Sequence, residues 1–223
     1  AKEYAIDRQS LSAQVYDYIK KLILSGELRG GEKIPEEKVA EKFGVSRTPI
    51  REALQRLDQY GLIHLKPRSY AVVVALGEKE AREIAVVRAQ LEDLSVKLLC
   101  ERGPTERMEE LSVLARQCSE AISAGDTAGV FEIDSRFHVT IAQLSGNHEL
   151  CELFDRIDAR VQLSRLTIHL PLKTLKRFVA QHHDLLSAVK AGDCEGARRL
   201  MAEHILGQLD VADFRPPDVL EQQ

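Results

Sequence analysis

The stretch from Pro35 to Val74 leaves this chain little choice of fold. Pro35 suits the first turn of a helix, where its missing N–H costs nothing. Val39, Ala40 and Phe43 supply that helix with a short apolar stripe, and Gly44 ends it. Ser46 is a good N-cap for a second helix, and Pro49 falls in its first turn, where proline is tolerated. Ile50, Ala53, Leu54 and Leu57 recur at helical spacing, so Arg47, Arg51 and Gln55 point the other way. Gly61 closes the helix. Leu62-Ile63-His64-Leu65 and Tyr70-Ala71-Val72-Val73-Val74 then read as two strands around Lys66-Pro67-Arg68-Ser69. Upstream, Ser10 to Ser25 carries Leu11, Val15, Tyr18, Ile19, Leu22 and Ile23 in helical register, with Gly26 just beyond.

This order is the outline of a winged helix-turn-helix, and it predicts a domain over residues 1–76. At 223 residues the chain has room for a second domain. Its core must be built mainly from Leu, Val, Ile and Ala, because aromatics are 5% and Trp is absent, and that mixture leans helical. From Glu78 onward no strand signal is found. Six helices are predicted at 78–102, 105–124, 127–144, 147–166, 171–191 and 194–211, with Asp126 and Asp193 as N-caps. The fold class expected is therefore mainly α: a winged helix-turn-helix, then an all-α antiparallel bundle over 77–212, then a loose tail over 213–223.

Net charge is −4 overall, but the first 76 residues carry +3 and the remainder −7. A mildly basic head on an acidic body suits local phosphate contact without general stickiness. The four cysteines form no Cys-x-x-Cys pair and no secretory leader is seen, so they read as reduced thiols of a cytoplasmic protein. No apolar run approaches the roughly 20 residues that span a bilayer, and no membrane is expected among the partners.

A recognition helix needs donors near its N-terminus that enter the major groove, and arginine reads guanine O6 and N7 in bidentate fashion. Arg47, Thr48 and Arg51 sit in that position. Lys38 and Lys42 on the preceding helix could touch the backbone, and Arg68 at the hairpin tip could enter the minor groove. The acidic half holds a second cluster. Asp134 and His138 are i, i+4 on one helix and face the same way, with His182 and His204 on two later helices. A carboxylate and three imidazoles suit a borderline divalent metal such as Zn, Ni or Mn. His64, His148 and His169 read as structural or exposed. His183 points about 100° away from His182, so only one of that pair is expected as a ligand.

Residues 10–75 resemble the winged-helix domain of GntR-family bacterial transcription regulators. The matching residues are Gly26-x-Leu28, Gly31, Val39-Ala40, Gly44-Val45-Ser46-Arg47-Thr48-Pro49, Arg51-Glu52-Ala53-Leu54, Leu57 and Gly61-Leu62-Ile63. The resemblance implies DNA contacts from Arg47 and Arg51 and a further one from Lys38. The family's hairpin usually turns on a glycine before its second strand, and here Tyr70 stands in that place. Residues 78–211 resemble the all-helical FCD effector domain of the FadR-like branch. The resemblance is carried by Arg88-x-x-Leu91-Glu92, Asp134-x-x-Phe137-His138, His182 with Leu185-Leu186-x-Ala188, Ala191-Gly192-Asp193, and Ala197 leading to His204. It implies that Asp134, His138, His182 and His204 bind a metal and that a small carboxylate is sensed there. Arg88 is the first candidate to hold the acid's other end, and Arg160 the second.

The resulting expectation is a regulator, most simply a repressor, that binds a palindromic double-stranded operator as a homodimer and answers to a small organic acid. Two other readings remain: a metal-dependent hydrolase, and a helical domain with a purely structural metal. The hydrolase lacks support, since no His-Glu-x-x-His motif or additional general base stands out, and no enzyme activity is expected.

Overall fold

The computed structural model describes residues 10–66, 70–103, 107–210 and 212–214. They fall into two compact units that divide between Leu76 and Gly77.

The first unit opens with α1 (Leu11–Leu24), whose N-cap Ser10 accepts a hydrogen bond from the Ala13 N–H. Next come α2 (Glu36–Phe43) and α3 (Arg47–Gln59). The turn between them rests on Gly44, which sits in the left-handed region (φ 61°) where a side chain would be strained. Ser46 is the N-cap residue of α3, as expected, but its hydroxyl makes no capping bond. Val15, Ile19 and Ile23 of α1 meet the stripe of α3, and Ile50, Leu54 and Leu57 are buried beneath them. The hairpin pairs β1 (Ile63–Leu65) with β2 (Ala71–Val73), antiparallel, in the register Ile63 to Val73. Residues 31–34 run along the other edge of β2, through Gly31 N–H to Val73 O and Ile34 N–H to Ala71 O. Gly30 lets that segment pass: a Cβ there would sit 2.9 Å from Ala75 Cα.

The second unit is a bundle of α4 (Glu78–Arg102), α5 (Met108–Ala124), α6 (Thr127–Leu144), α7 (His148–Ser164), α8 (Leu172–Lys190) and α9 (Cys194–Asp210). Asp126 caps α6 through the Gly129 N–H at 2.9 Å, and Asp193 caps the first turn of α9 through the Gly196 N–H at 2.9 Å. Helix α6 packs against α4, α5 and α7, while α9 packs against α4 and α8. Val96, Leu111, Phe137, Ile141, Leu185 and Met201 join these helices in one core. The inward stripe of α4 is unusual, because Arg88 and Glu92 lie on it beside Ala81, Ile84, Ala89 and Val96.

Two expectations need correction. A short antiparallel pair joins β3 (Ile168–His169) to β4 (Asp213–Phe214), although no strand was expected after Glu78. Two residues per strand are too few to show an alternating pattern, so nothing in the sequence marks them. Asp213 and Phe214, assigned above to a loose tail, therefore belong to a sheet; residues 215–223 lie outside the described residues, as does the expected start of the second bundle helix at 105. Among the described residues no helix is long and apolar enough to cross a membrane.

Candidate metal centre and nucleic-acid face

Helix α6 brings Asp134 and His138 to its buried face one turn apart, α8 adds His182 and α9 adds His204. One ligand atom from each lies within 4.8 Å of all the others. Asp134 Oδ1 is 3.0 Å from His182 Nε2, 3.5 Å from His138 Nε2 and 3.8 Å from His204 Nε2, and the Nε2 atoms of His138 and His204 are 3.3 Å apart. Nitrogen ligands held about 2.0–2.1 Å from a tetrahedral ion are separated by roughly 3.3 Å. The cluster thus has the spacing of donors that share one ion.

The protonation pattern says the same. Glu92 Oε1 lies 2.8 Å from His138 Nδ1, although the ring is not turned for a straight hydrogen bond. Gln181 Oε1 lies 3.2 Å from His204 Nδ1. With protons drawn to both Nδ1 atoms, the two Nε2 atoms face each other, and a carboxylate oxygen, with lone pairs. Such a convergence is repulsive unless a cation sits in it. His182 contributes an Nε2 close to Asp134 but not aligned as a hydrogen bond, and an Nδ1 without a partner. These residues fit a divalent ion. A proton is the alternative occupant. Burial lowers the pKa of His138, but the carboxylates of Glu92 and Asp134 outweigh it and leave that pKa above the ordinary 6.5. Burial holds His182 below its ordinary value and His204 well below it, which favours the neutral, ligating form.

Of the residues around the cluster, Arg88 was expected from the sequence to hold the acid, whereas Glu92 and Arg165 were given no role there. Glu92 is completely buried and also binds Arg88, whose Nε lies 3.0 Å from Oε1. Burial alone would raise the pKa of Glu92, yet His138 and Arg88 keep it below its ordinary 4.5. Arg165 pairs with Asp134 Oδ2 and donates to Phe131 O at 2.8 Å. Despite the cost of burial, that guanidinium and His138 hold the Asp134 carboxyl well below 3.8. Phe137 stacks on His182 with ring centroids 4.3 Å apart, and Phe178 meets His204 edge-on. By spacing alone an Arg88–Glu92 pair at i, i+4 reads as an ordinary surface ion pair; the resemblance to the FCD domain took in both residues but gave a role to Arg88 only.

A cavity of about 40 Å³ lies between α4, α6, α7, α9 and the segment at Ile168–Leu170; the four cluster residues are not among its described lining, but residues that contact them are. Arg88 and Arg165 both line it, and Arg88 Nη2 is buried without a hydrogen-bond partner. Arg160 does not line it, so the second arginine brought to this place is Arg165. His183 leaves the cluster and meets Ser119 Oγ at 3.0 Å, while His64, His148 and His169 are exposed.

In the first unit, Lys38, Arg47, Arg51, Gln55 and Lys66 line one concave face between α2, α3 and the hairpin. Glu36 and Glu37 stand beside them, and Thr48 is exposed nearby without lining it. Lys38, Arg47 and Arg51 are exposed and form no ion pair among the described residues, so their charges are free to meet phosphate or base. Lys42 is less free, with its ammonium 5.0 Å from the centroid of the Tyr18 ring. Tyr70 has the Lys33 ammonium 4.2 Å from its ring centroid. Arg68 lies outside the described residues.

One unit thus carries a helix-turn-helix and the other a buried cluster of one aspartate and three histidines. Residues 11–73 match the family described as bacterial regulatory proteins of the gntR type, and residues 83–207 match the FCD domain. The chain belongs to the GntR family, in the group that carries an FCD domain, and is a transcription regulator rather than an enzyme. It is 30% identical over 196 residues to the HTH-type transcriptional regulator McbR of Escherichia coli K12, covering 87% of this chain and 89% of that one. It is 29% identical to the regulator YdhC of Bacillus subtilis 168 (86% of each chain). It is also 23% identical to the HTH-type transcriptional repressor RspR of E. coli K12 (88% of this chain, 86% of the other). A solved structure of E. coli McbR/YncC superposes with a TM-score of 0.78 at 27% identity, over 92% of this chain and 97% of that one.

Proposed function

We propose that this regulator is a metal-dependent repressor that binds a palindromic operator as a homodimer and responds to a small organic acid. The observation that carries the reading is the convergence of Asp134, His138, His182 and His204, with a cavity nearby that Arg88 lines and with Arg88 Nη2 buried without a hydrogen-bond partner. Zn, Ni and Mn all suit this donor set. A bound ion supplies positive charge and open coordination positions for a ligand carboxylate. Asp134 and the three histidines hold the ion, Glu92 and Gln181 orient two of the rings, and Arg88 and Arg165 offer remaining N–H donors to the acid.

On the other unit, Arg47 and Arg51 read bases in the major groove, with Thr48 beside them and Lys38 on the backbone. Arg68, which lies outside the described residues, is proposed for the minor groove from its place in the sequence between the two strands. Two-fold symmetry of the protein matches two half-sites of the operator. The dimer reading is supported by apolar residues left exposed on neighbouring helices: Val86, Val87 and Leu94 on α4 and Leu153 on α7. Repression is supported by the name of the RspR relative. The acid acts by binding one arrangement of the reading heads better than another.

A thermal-melt screen of small mono-, di- and hydroxy-carboxylic acids, with the protein as purified and after chelation, tests this reading. The expected result is one acid that raises the melting temperature only of the metal-loaded protein. If chelation lowers the melting temperature and no acid raises it, the metal is structural and the effector reading fails.

A further inference from the structure

We infer that the acid received at this site is a short monocarboxylate whose aliphatic body is unsubstituted beyond the carbon next to the carboxylate, not an acid hydroxylated further along the chain or a diacid. This rests on the effector reading above and specifies its ligand from the walls of the cavity.

Three polar residues of the cavity wall are tied to the cluster. Arg88 is joined to the cluster through Glu92, Arg165 through Asp134, and Gln208 Nε2 lies 3.5 Å from His204 Nε2. Among the described residues one further polar residue lines the cavity, Ser164, and its hydroxyl donates to Val161 O at 2.8 Å. The other described residues of the wall are apolar and include Ile84, Val161, Ile168, Leu170, Ile205 and Leu209. A ligand carboxylate therefore finds cations and donors at Arg88, Arg165 and Gln208, while its body meets hydrocarbon.

Charge counting gives the same answer. Arg88 is balanced by Glu92 and Arg165 by Asp134, and among the described residues no further cation lines the apolar part of the wall to receive a second ligand carboxylate. A hydroxyl along the body would lose its water and, away from Ser164, would find no side-chain partner among the described residues, which costs roughly tenfold or more in affinity. Each methylene buried instead improves affinity about fourfold. A cavity of about 40 Å³ holds on the order of three waters, room for a body of a few carbons.

Calorimetric titration of the metal-loaded full chain with acetate, propanoate, butanoate and pentanoate, and with 4-hydroxybutanoate and succinate, tests the inference. A hydroxyl at the fourth carbon is used because one beside the carboxylate could itself bind the metal. The expected result is an affinity that rises about fourfold per methylene and then levels as the cavity fills, with 4-hydroxybutanoate and succinate about tenfold or more weaker than butanoate. If either of those two binds as tightly as butanoate, the inference is wrong while the effector reading stands. If no acid binds, the effector reading fails and the inference with it. The near-isosteric Val161→Thr places a hydroxyl in the wall and should narrow the gap between butanoate and 4-hydroxybutanoate. An unchanged gap in a folded, metal-loaded variant would show that the tail lies elsewhere.

Discussion

Glu92→Gln separates a metal centre from a merely polar core. The carboxylate touches no ligand position; it faces His138 Nδ1 at 2.8 Å and Arg88 Nε at 3.0 Å, completely buried. The glutamine keeps the shape and one oxygen but removes the charge that fixes the tautomer and raises the basicity of Nε2. Loss of such an outer partner lowers metal affinity about 10–100-fold, which is about 1.4–2.7 kcal/mol. At saturating metal the same amount disappears from the stabilisation that the ion gives the native state. For a helical unit of this size each kcal/mol moves the midpoint by roughly 3–5 °C, so the metal-induced rise in melting temperature should shrink by about 5–10 °C. That difference, not the absolute midpoint, is the quantity to read, because the substitution also leaves Arg88 without its counter-charge and weakens the metal-free protein. Competition with a chromophoric chelator gives the affinity directly. An affinity within twofold of wild type, in a folded variant, would refute the role given to Glu92 and weaken the metal reading itself.

Arg51→Ala should cost about 1–3 kcal/mol per half-site in operator binding with an unchanged melting temperature, since the side chain is exposed; unchanged affinity would remove Arg51 from the interface. Lys38→Ala should weaken binding to all sequences alike and reduce the salt slope by about one, as measured by anisotropy across a salt series. Asp134→Asn should abolish the effect of chelation on the melt and leave the Arg165 guanidinium buried and unpaired, a destabilisation of about 3–5 kcal/mol readable by denaturant titration. Below their ordinary pKa of 6.5, His182 and His204 of the unfolded chain take up protons that burial makes the folded chain refuse. The chelated protein should therefore lose stability as pH falls through about 6.5, with the raised pKa of His138 offsetting part of the loss. Greater stability at pH 5 than at pH 7 would reverse the assignment.

The helix-turn-helix was legible because its signals are local. Gly44 takes a conformation that favours glycine, and the stripe from Ile50 to Leu57 needs no partner to be recognised. The four cluster residues were legible in part from spacing, since i, i+4 places Asp134 and His138 on one face whatever the helix packs against. Their neighbours were hidden because their roles depend on packing between helices. Glu92 becomes an orienting group only when α4 presents its inward stripe to α6. The exchange of Arg160 for Arg165 has the same origin: both lie near the end of α7, and their directions follow from how that helix rolls against α6. The β3–β4 pair was invisible because its pairing spans more than forty residues and each strand is only two residues long.

The central claim is that the metal couples acid binding to DNA binding. The direct measurement is operator affinity by fluorescence anisotropy, using a fragment the protein itself selects from random sequence, titrated with butanoate and related acids before and after chelation. The account predicts that acid changes operator affinity in the metal-loaded protein and leaves the chelated protein unaffected. Equal responses in both states, or none in either, would contradict it.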